Sequence, residues 1–269
     1  VILSGNIGSA GSAGAGITRI GNDGMTGSLT FGGTDYNTSG AQTFIADSYV
    51  MSGADPDFNT SNAAVGFEDG AITLATVSNL NIDTGTSGGA VSIEGAIAGT
   101  SDGTTTTVTI EAGTGSVAVG VMGTDIGNVT LDGSGGITLN GNITTAGGNI
   151  DINDAATLGG SIALTTANGT IDFASTLVGT SGVTNDFDIS SGSGTVAITG
   201  NIGGTTANAL TSIDINQGGG TGAVTLSGNI GTASIAGSGV TRIGNDGMTG
   251  ALTFGGTDYN TSGAQTFIA

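Results

Sequence analysis

The sequence predicts an all-β chain wound as a parallel β-helix, a β-solenoid of about 20–28 residues per coil. Three observations predict it: apolar-polar-apolar triplets returning at near-regular spacing, corners rich in Gly, Asn, Ser and Thr, and a long internal repeat.

The triplets come first because a strand with one buried face alternates inward and outward side chains with period 2. Val108/Ile110, Val129/Leu131, Ile150/Ile152 and Ile171/Phe173 begin 21 residues apart three times running (129 − 108 = 21). Val117/Val119 and Ile137/Leu139 form a second series 20 apart, and Val196/Ile198 and Val224/Leu226 follow at 25 and 28. A third inward position closes each coil after a Gly-Asn or Gly-Ala corner, at Ile7, Ile97, Ile143, Ile202 and Ile230. Strands so short bury little alone. Stacked about 4.8 Å apart, they bury a continuous apolar column.

Composition fits such coils and excludes other classes. Of 269 residues, 55 are Gly and 1 is Pro, without the every-third glycine and abundant proline that collagen requires. Only 9% are charged while Val, Ile and Thr recur throughout, which argues against a disordered linker. No apolar run reaches the length of about 18 residues that a spanning helix needs, so membrane insertion is not expected. Glycine at corners supplies backbone conformations that most other residues rarely adopt. With no Cys in the chain, stability must come from repeated packing and not from disulfides.

The internal repeat is long and nearly exact. Residues 224–269 restate 1–46 at an offset of 223 (242 − 19 = 223), with 7 differences over the 46 aligned positions. The chain therefore reads as one full unit, 1–223, followed without a linker by the start of the next, 224–269. Residues 47–70, which hold Pro56, Asp55, Asp57, Glu68 and Asp69, break the triplet pattern and are expected to form a protruding loop. The chain starts at Val1 with neither Met nor a signal segment, and is read as an excerpt of a longer protein. An array of β-sandwiches would also show closely spaced strands, but its proline-bearing linkers are missing, and blade signatures of a propeller are missing too.

Charge restricts the partners. Acidic residues number 21 and basic residues 2, Arg19 and Arg242, for a formal net charge of −19. Such a surface repels nucleic acid and anionic lipid, and favours divalent cations, cationic partners or plain mutual repulsion.

Two segments, GNITTAGGNIDINDAATLGGSIALTTANGTIDF (141–173) and TDYNTSGAQTFIA (34–46), resemble the repeat regions of filamentous-haemagglutinin-type adhesins and related giant bacterial surface proteins. The resemblance covers nearly the whole chain and is one of style. It implies a right-handed parallel β-helix, export across an outer membrane, and a place at the extracellular cell surface in adhesion or in a filament. That family's N-terminal secretion domain has no counterpart among these residues, and near-identical repeats go further than its ordinary coils.

Catalysis is not expected. With no His, no Cys and no Lys, nucleophilic triads, zinc sites and lysine-bearing phosphate loops are excluded. A carboxylate pair remains chemically open, and Asp186 and Asp188 come nearest to one, but alternation turns both outward beside small residues. No cofactor is required, and calcium, which takes hard oxygen ligands, is the one the composition permits. Its candidate ligands are Asp151, Asp172, Asp188 and Asp214, each the outward middle of an apolar-Asp-apolar triplet, or the 47–70 acids Asp55, Asp57, Glu68 and Asp69. Carboxylates stacked in adjacent coils would repel unless a cation or proton intervenes; the competing reading is that they are solvated on different faces.

Asn6, Asn142, Asn201 and Asn229 recur at the corner before the third strand, either as a stacked amide ladder or as residues tolerant of turns. Asn37, Asn59, Asn128, Asn142, Asn168 and Asn260 match the glycosylation acceptor pattern, which a Thr-rich chain meets by chance. Arg19 and Arg242 are expected in salt bridges. Phe31, Tyr36 and Phe44, with Phe254, Tyr259 and Phe267, are expected to fill wider parts of the core. Two functions follow as expectations: an extracellular fibre whose partners are further copies of its own repeat end to end, neighbouring fibres or cell-surface glycans, or a surface protein binding glycan, mineral or ice through flat Thr, Asn or Asp ladders.

Overall fold

A computed structural model describes residues 1–75, 78–100, 105–123 and 125–269. The chain is nearly all β, with parallel strands stacked as a β-solenoid. A 3-10 turn, Thr206–Asn208, is the only helical element among the described residues. Two compact units, Val1–Ile137 and Thr138–Ala269, are described in turn.

In the first unit each coil contributes to three strand columns. One column runs Asp35–Thr38, Asp57–Thr60, Leu80–Asp83, Thr107–Glu111 and Asn128–Asp132. Its inward ladder is Tyr36, Phe58, Ile82, Ile110 and Leu131, none more than 2% exposed. A second column runs from Thr18–Gly21 through the first halves of Gln42–Met51 and Val65–Leu74 to Val91–Ile93 and Val117–Val119. The third takes Ile2–Leu3, Ser28–Phe31, the second halves of the same two long strands, and Ile97–Gly99.

The protruding loop expected over 47–70 is corrected. These residues form strands of the solenoid: Gln42–Met51 runs into the segment, Asp57–Thr60 lies within it, and Val65–Leu74 leaves it. The physical reason is that Tyr49, Met51, Phe58, Val65 and Phe67 alternate inward and are at most 1% exposed. Pro56 precedes a strand, where its missing N–H takes nothing from the ladder, and its carbonyl accepts from the Asn81 amide at 3.2 Å. Asp55 and Asp69 bend the chain with φ of 49° and 71°. Gly70 has no room for a side chain, since a Cβ there would lie 2.2 Å from the Ala46 carbonyl oxygen. Aromatic rings fill this wide part of the core: Phe31 meets Tyr36, Phe44 and Phe58 edge-on with centroids 5.0, 5.0 and 5.1 Å away.

The second unit repeats the plan. Ile150–Ile152, Ile171–Phe173, Val196–Ile198, Val224–Leu226 and Leu252–Phe254 form one column, the first four in the registers read from the triplets. Ile143–Thr145, Ile162–Thr166, Asp186–Ser190, Leu210–Ile215, Ser238–Ile243 and Gln265–Phe267 form another. The third side has Ala156–Leu158 and Leu177–Gly179, then single bridges Leu177 to Ile202, Ile202 to Ile230 and Ile230 to Tyr259. Ile143 therefore does not share a side with Ile202 and Ile230 as the common corner sequence suggests; it pairs with Leu164. Identical corner chemistry serves different corners of the coil, and stacking decides which.

The sequence repeat is also a contact repeat. Tyr36 accepts from the Gly33 amide at 2.9 Å and donates to the Leu3 carbonyl at 3.4 Å, while Tyr259 does the same with Gly256 and Leu226 at 2.8 and 3.3 Å. Val224–Leu226, the first strand of the second copy, pairs with Val196–Ile198 of the first.

Candidate functional site

With apolar residues turned inward, chemistry is left to outward ladders, where one side chain per coil stands over the next. In the first unit the column of Asp35–Thr38 carries such a ladder at its last outward position: Asn37, Asn59, Asp83, Glu111 and Asp132. Three carboxylates thus follow two amides along one strip. The amide end opens into a depression of about 360 Å³ lined by Asn37, Asn59, Ser61 and Asp83 together with Gly11 and Ser12. The acidic end opens into another of about 280 Å³ at Asp83, Thr86, Glu111 and Asp132.

Sequence reading missed this strip, although its signal is present. Leu80-Asn-Ile-Asp83, Val108-Thr-Ile-Glu111 and Val129-Thr-Leu-Asp132 each place an acid directly after an apolar triplet, and that position faces outward in successive coils.

The four candidate aspartates, whose sequence left open whether they share a face, fall into two pairs. Asp151 stands opposite Asp172 in one column, and Asp188 opposite Asp214 in another. Burial pushes the Asp151 and Asp172 carboxyls above their ordinary value, and the charge of Asp172 adds to the shift at Asp151. Burial also raises Asp188, with Asp214 and Asp186 adding to it and Arg242 opposing. Arg242 closes the second pair: its Nη2 donates to Asp214 at 2.6 Å and its Nε donates to the other carboxylate oxygen. Asp186 faces Ser212, whose hydroxyl donates to it at 2.9 Å, and it also accepts from Ser161 at 3.1 Å.

The acids of 55–69 do not converge. Asp55 accepts from Asn79, Asp57 from Asn81 at 2.8 Å, and the Asp69 amide donates to Glu94 at 3.3 Å. Among the described residues no three acidic side chains are gathered for a metal ion.

The recurrent asparagines do not stack amide on amide. Each side-chain oxygen instead accepts a backbone N–H of the next coil: Asn6 from Thr34 at 2.8 Å, Asn142 from Ala163 at 2.8 Å, Asn201 from Asn229 at 2.9 Å and Asn229 from Thr257 at 2.8 Å. Asn62, Asn79 and Asn149 make the same bond to Ser87, Thr107 and Thr170. These are clamps between coils, satisfying corner donors that the sheets leave free. Of the acceptor-pattern asparagines, Asn37 is only 5% exposed. The aromatic residues of the first copy are core, with Phe31, Tyr36 and Phe44 fully buried, whereas Phe254 and Phe267 are 40% and 38% exposed.

Compared with known proteins, the chain matches no family model, no curated protein and no solved structure.

Proposed function

We propose that the chain is a stretch of a structural, non-enzymatic fibre at a bacterial cell surface, built of tandem copies of the 223-residue unit and serving as adhesin, spacer or matrix scaffold. The observation that supports this reading most is the passage across the sequence junction at 223/224. Val196, Val224 and Leu252 stack in one register, and Asp214 of the first copy holds Arg242 of the second. A unit added in front would offer Arg19 the same partner, and a unit added behind would cover the open faces of Phe254 and Phe267. The resemblance to haemagglutinin-type repeats, the acidic surface and the lack of His and Lys agree with a passive extracellular role.

Electron microscopy of chains carrying one, two and four joined units tests it. Rods should lengthen by about 40–55 Å per unit, from strands spaced about 4.8 Å apart. Separate globules at each unit would sink the reading. A second reading, a ligand-binding surface, is favoured at one place, the depression beside Asn37.

A further inference from the structure

Asn37 is 95% removed from solvent (5% exposed), yet neither its side-chain nitrogen nor its side-chain oxygen has a hydrogen-bond partner. Buried amides are normally satisfied, so an open donor and an open acceptor on one side chain call for a ligand. The side chain stands in the wall of the depression described above, whose volume of about 360 Å³ lies within the range of small-molecule sites, about 300–1,000 Å³.

The second copy shows the same position closed. Asn260, the counterpart of Asn37 (37 + 223 = 260), donates from Nδ2 to the Thr232 carbonyl at 3.0 Å. Thr232 belongs to a small flap, pinned by an antiparallel bridge to Ile235, and the first copy has the matching bridge between Ser9 and Ser12. Four of the 7 differences between the copies fall in this flap: Ser9/Thr232, Gly11/Ser234, Ser12/Ile235 and Ala15/Ser238. The first copy's flap is the smaller one at Gly11 and Ser12, and there the amide beneath is unpaired.

We propose that this depression binds a neutral sugar through its hydroxyl groups, with Asn37 as the central contact. The chemistry selects the class. A cation would use the Asn37 oxygen and leave its NH2 unpaired, and an anion would use the NH2 and face the Asp83 carboxylate. A hydroxyl both donates and accepts, so adjacent hydroxyls on one ring can satisfy both ends of the amide. Asn59, Ser61 and Asp83 stand around it as further polar groups, and Asp83, already accepting from the Gly85 amide at 2.7 Å, has acceptor capacity left for a sugar O–H. The inference deepens the ligand-binding reading and is independent of the fibre, because every residue it uses lies within one unit.

The test is a nuclear magnetic resonance titration of the 269-residue chain with glucose, galactose, mannose and N-acetylglucosamine separately, with calcium chloride and sodium sulfate as controls. At least one sugar should shift the Asn37 side-chain NH2 saturably while the Asn260 NH2 stays in place. Asn37→Ala should weaken that binding at least tenfold. Ser12→Ile, which installs the second copy's residue on an exposed flap, should weaken it as well with an unchanged circular dichroism spectrum, and so keeps the test sound should Asn37→Ala misfold. Absence of a saturable shift with all four sugars, the same shift with calcium chloride alone, or full affinity in a folded Asn37→Ala protein would overturn the proposal. Rod lengths in the fibre experiment bear on none of these outcomes.

Discussion

Arg242 grips Asp214 from the next coil, with both carboxylate oxygens engaged, across the point where the sequence starts to repeat. Asp188 lies one coil further on the same ladder, opposite Asp214, so a single guanidinium serves two stacked carboxylates.

Removing that charge should expose the pair. In Arg242→Gln the Asp188 carboxyl, now facing Asp214 without the opposing cation, should titrate at a higher pH than in the parent. Carboxyl carbon chemical shifts followed against pH measure it. An unmoved Asp188 titration would show that the guanidinium does not act beyond Asp214. Any loss of thermal stability should be small and should fade with salt, since the pair is exposed at its arginine end.

Stability should depend on pH in an unusual sense for carboxylates. Asp151, Asp172 and Asp188 all have folded-state values raised chiefly by burial, so between the unfolded and folded values the folded chain holds more protons. The slope of stability against pH is then negative in that window. Melting temperature should rise as pH falls from neutrality through the raised folded values, and level off near the unfolded value of about 3.9. Each carboxyl keeps part of its hydration, so solvent screening should hold its share to a modest one. Asp151→Asn should raise the melting temperature at neutral pH and flatten the profile. A melting temperature that falls steadily on acidification would contradict this.

Asn216 offers a test of corner chemistry, because it is fully buried with φ of 56° and its side-chain oxygen accepts from the Ser191 amide at 3.0 Å. Both Asn216→Gly and Asn216→Ala lose that bond, leaving a buried N–H unpaired at a cost of about 1–3 kcal/mol. Alanine must also enter the left-handed region, at roughly 1–2 kcal/mol more. Urea denaturation should therefore rank Asn216→Gly above Asn216→Ala, the reverse of the order for these residues in a helix or strand.

Much of the fold was legible because inward residues obey period 2. The registers Val108 to Val129, Ile171 to Val196 and Val196 to Val224 are the 21, 25 and 28 spacings of the triplets. Residues 47–70 misled because proline and five acids mask an inward series of Tyr49, Phe58 and Phe67, and outward or corner acids do not disturb a coil. The pairing of Asp151 with Asp172 was readable from equal spacing. Their separation from Asp188 and Asp214 was not, because coils of unequal length conceal which side of the solenoid a triplet occupies. Asn37 was illegible for a different reason: Ser9 to Gly14, which cover it, precede it by more than 20 residues and bear no strand signal of their own.

Phe31 and Phe254 are the same residue in two copies with unequal surroundings, and this tests the continuous column. Phe31 is fully buried, with Phe58 of the next coil at a centroid distance of 5.1 Å and Phe67 at 6.1 Å. Phe254 contacts Tyr259 and Phe267, both at 4.9 Å, and is 40% exposed. Truncating a buried phenylalanine costs about 3–5 kcal/mol, through lost transfer energy and the cavity left behind. Phe31→Ala should show that cost, and Phe254→Ala less than about half of it, since a partly exposed ring leaves no closed cavity. Joining residues 47–223 after Ala269 would give Phe254 the neighbours that Phe31 has. Phe254→Ala should then become as damaging as Phe31→Ala, as read from the shift in urea midpoint. If it remains mild in the extended chain, the coil that follows does not stack on the second copy as it does on the first, and the uninterrupted column fails at the unit junction.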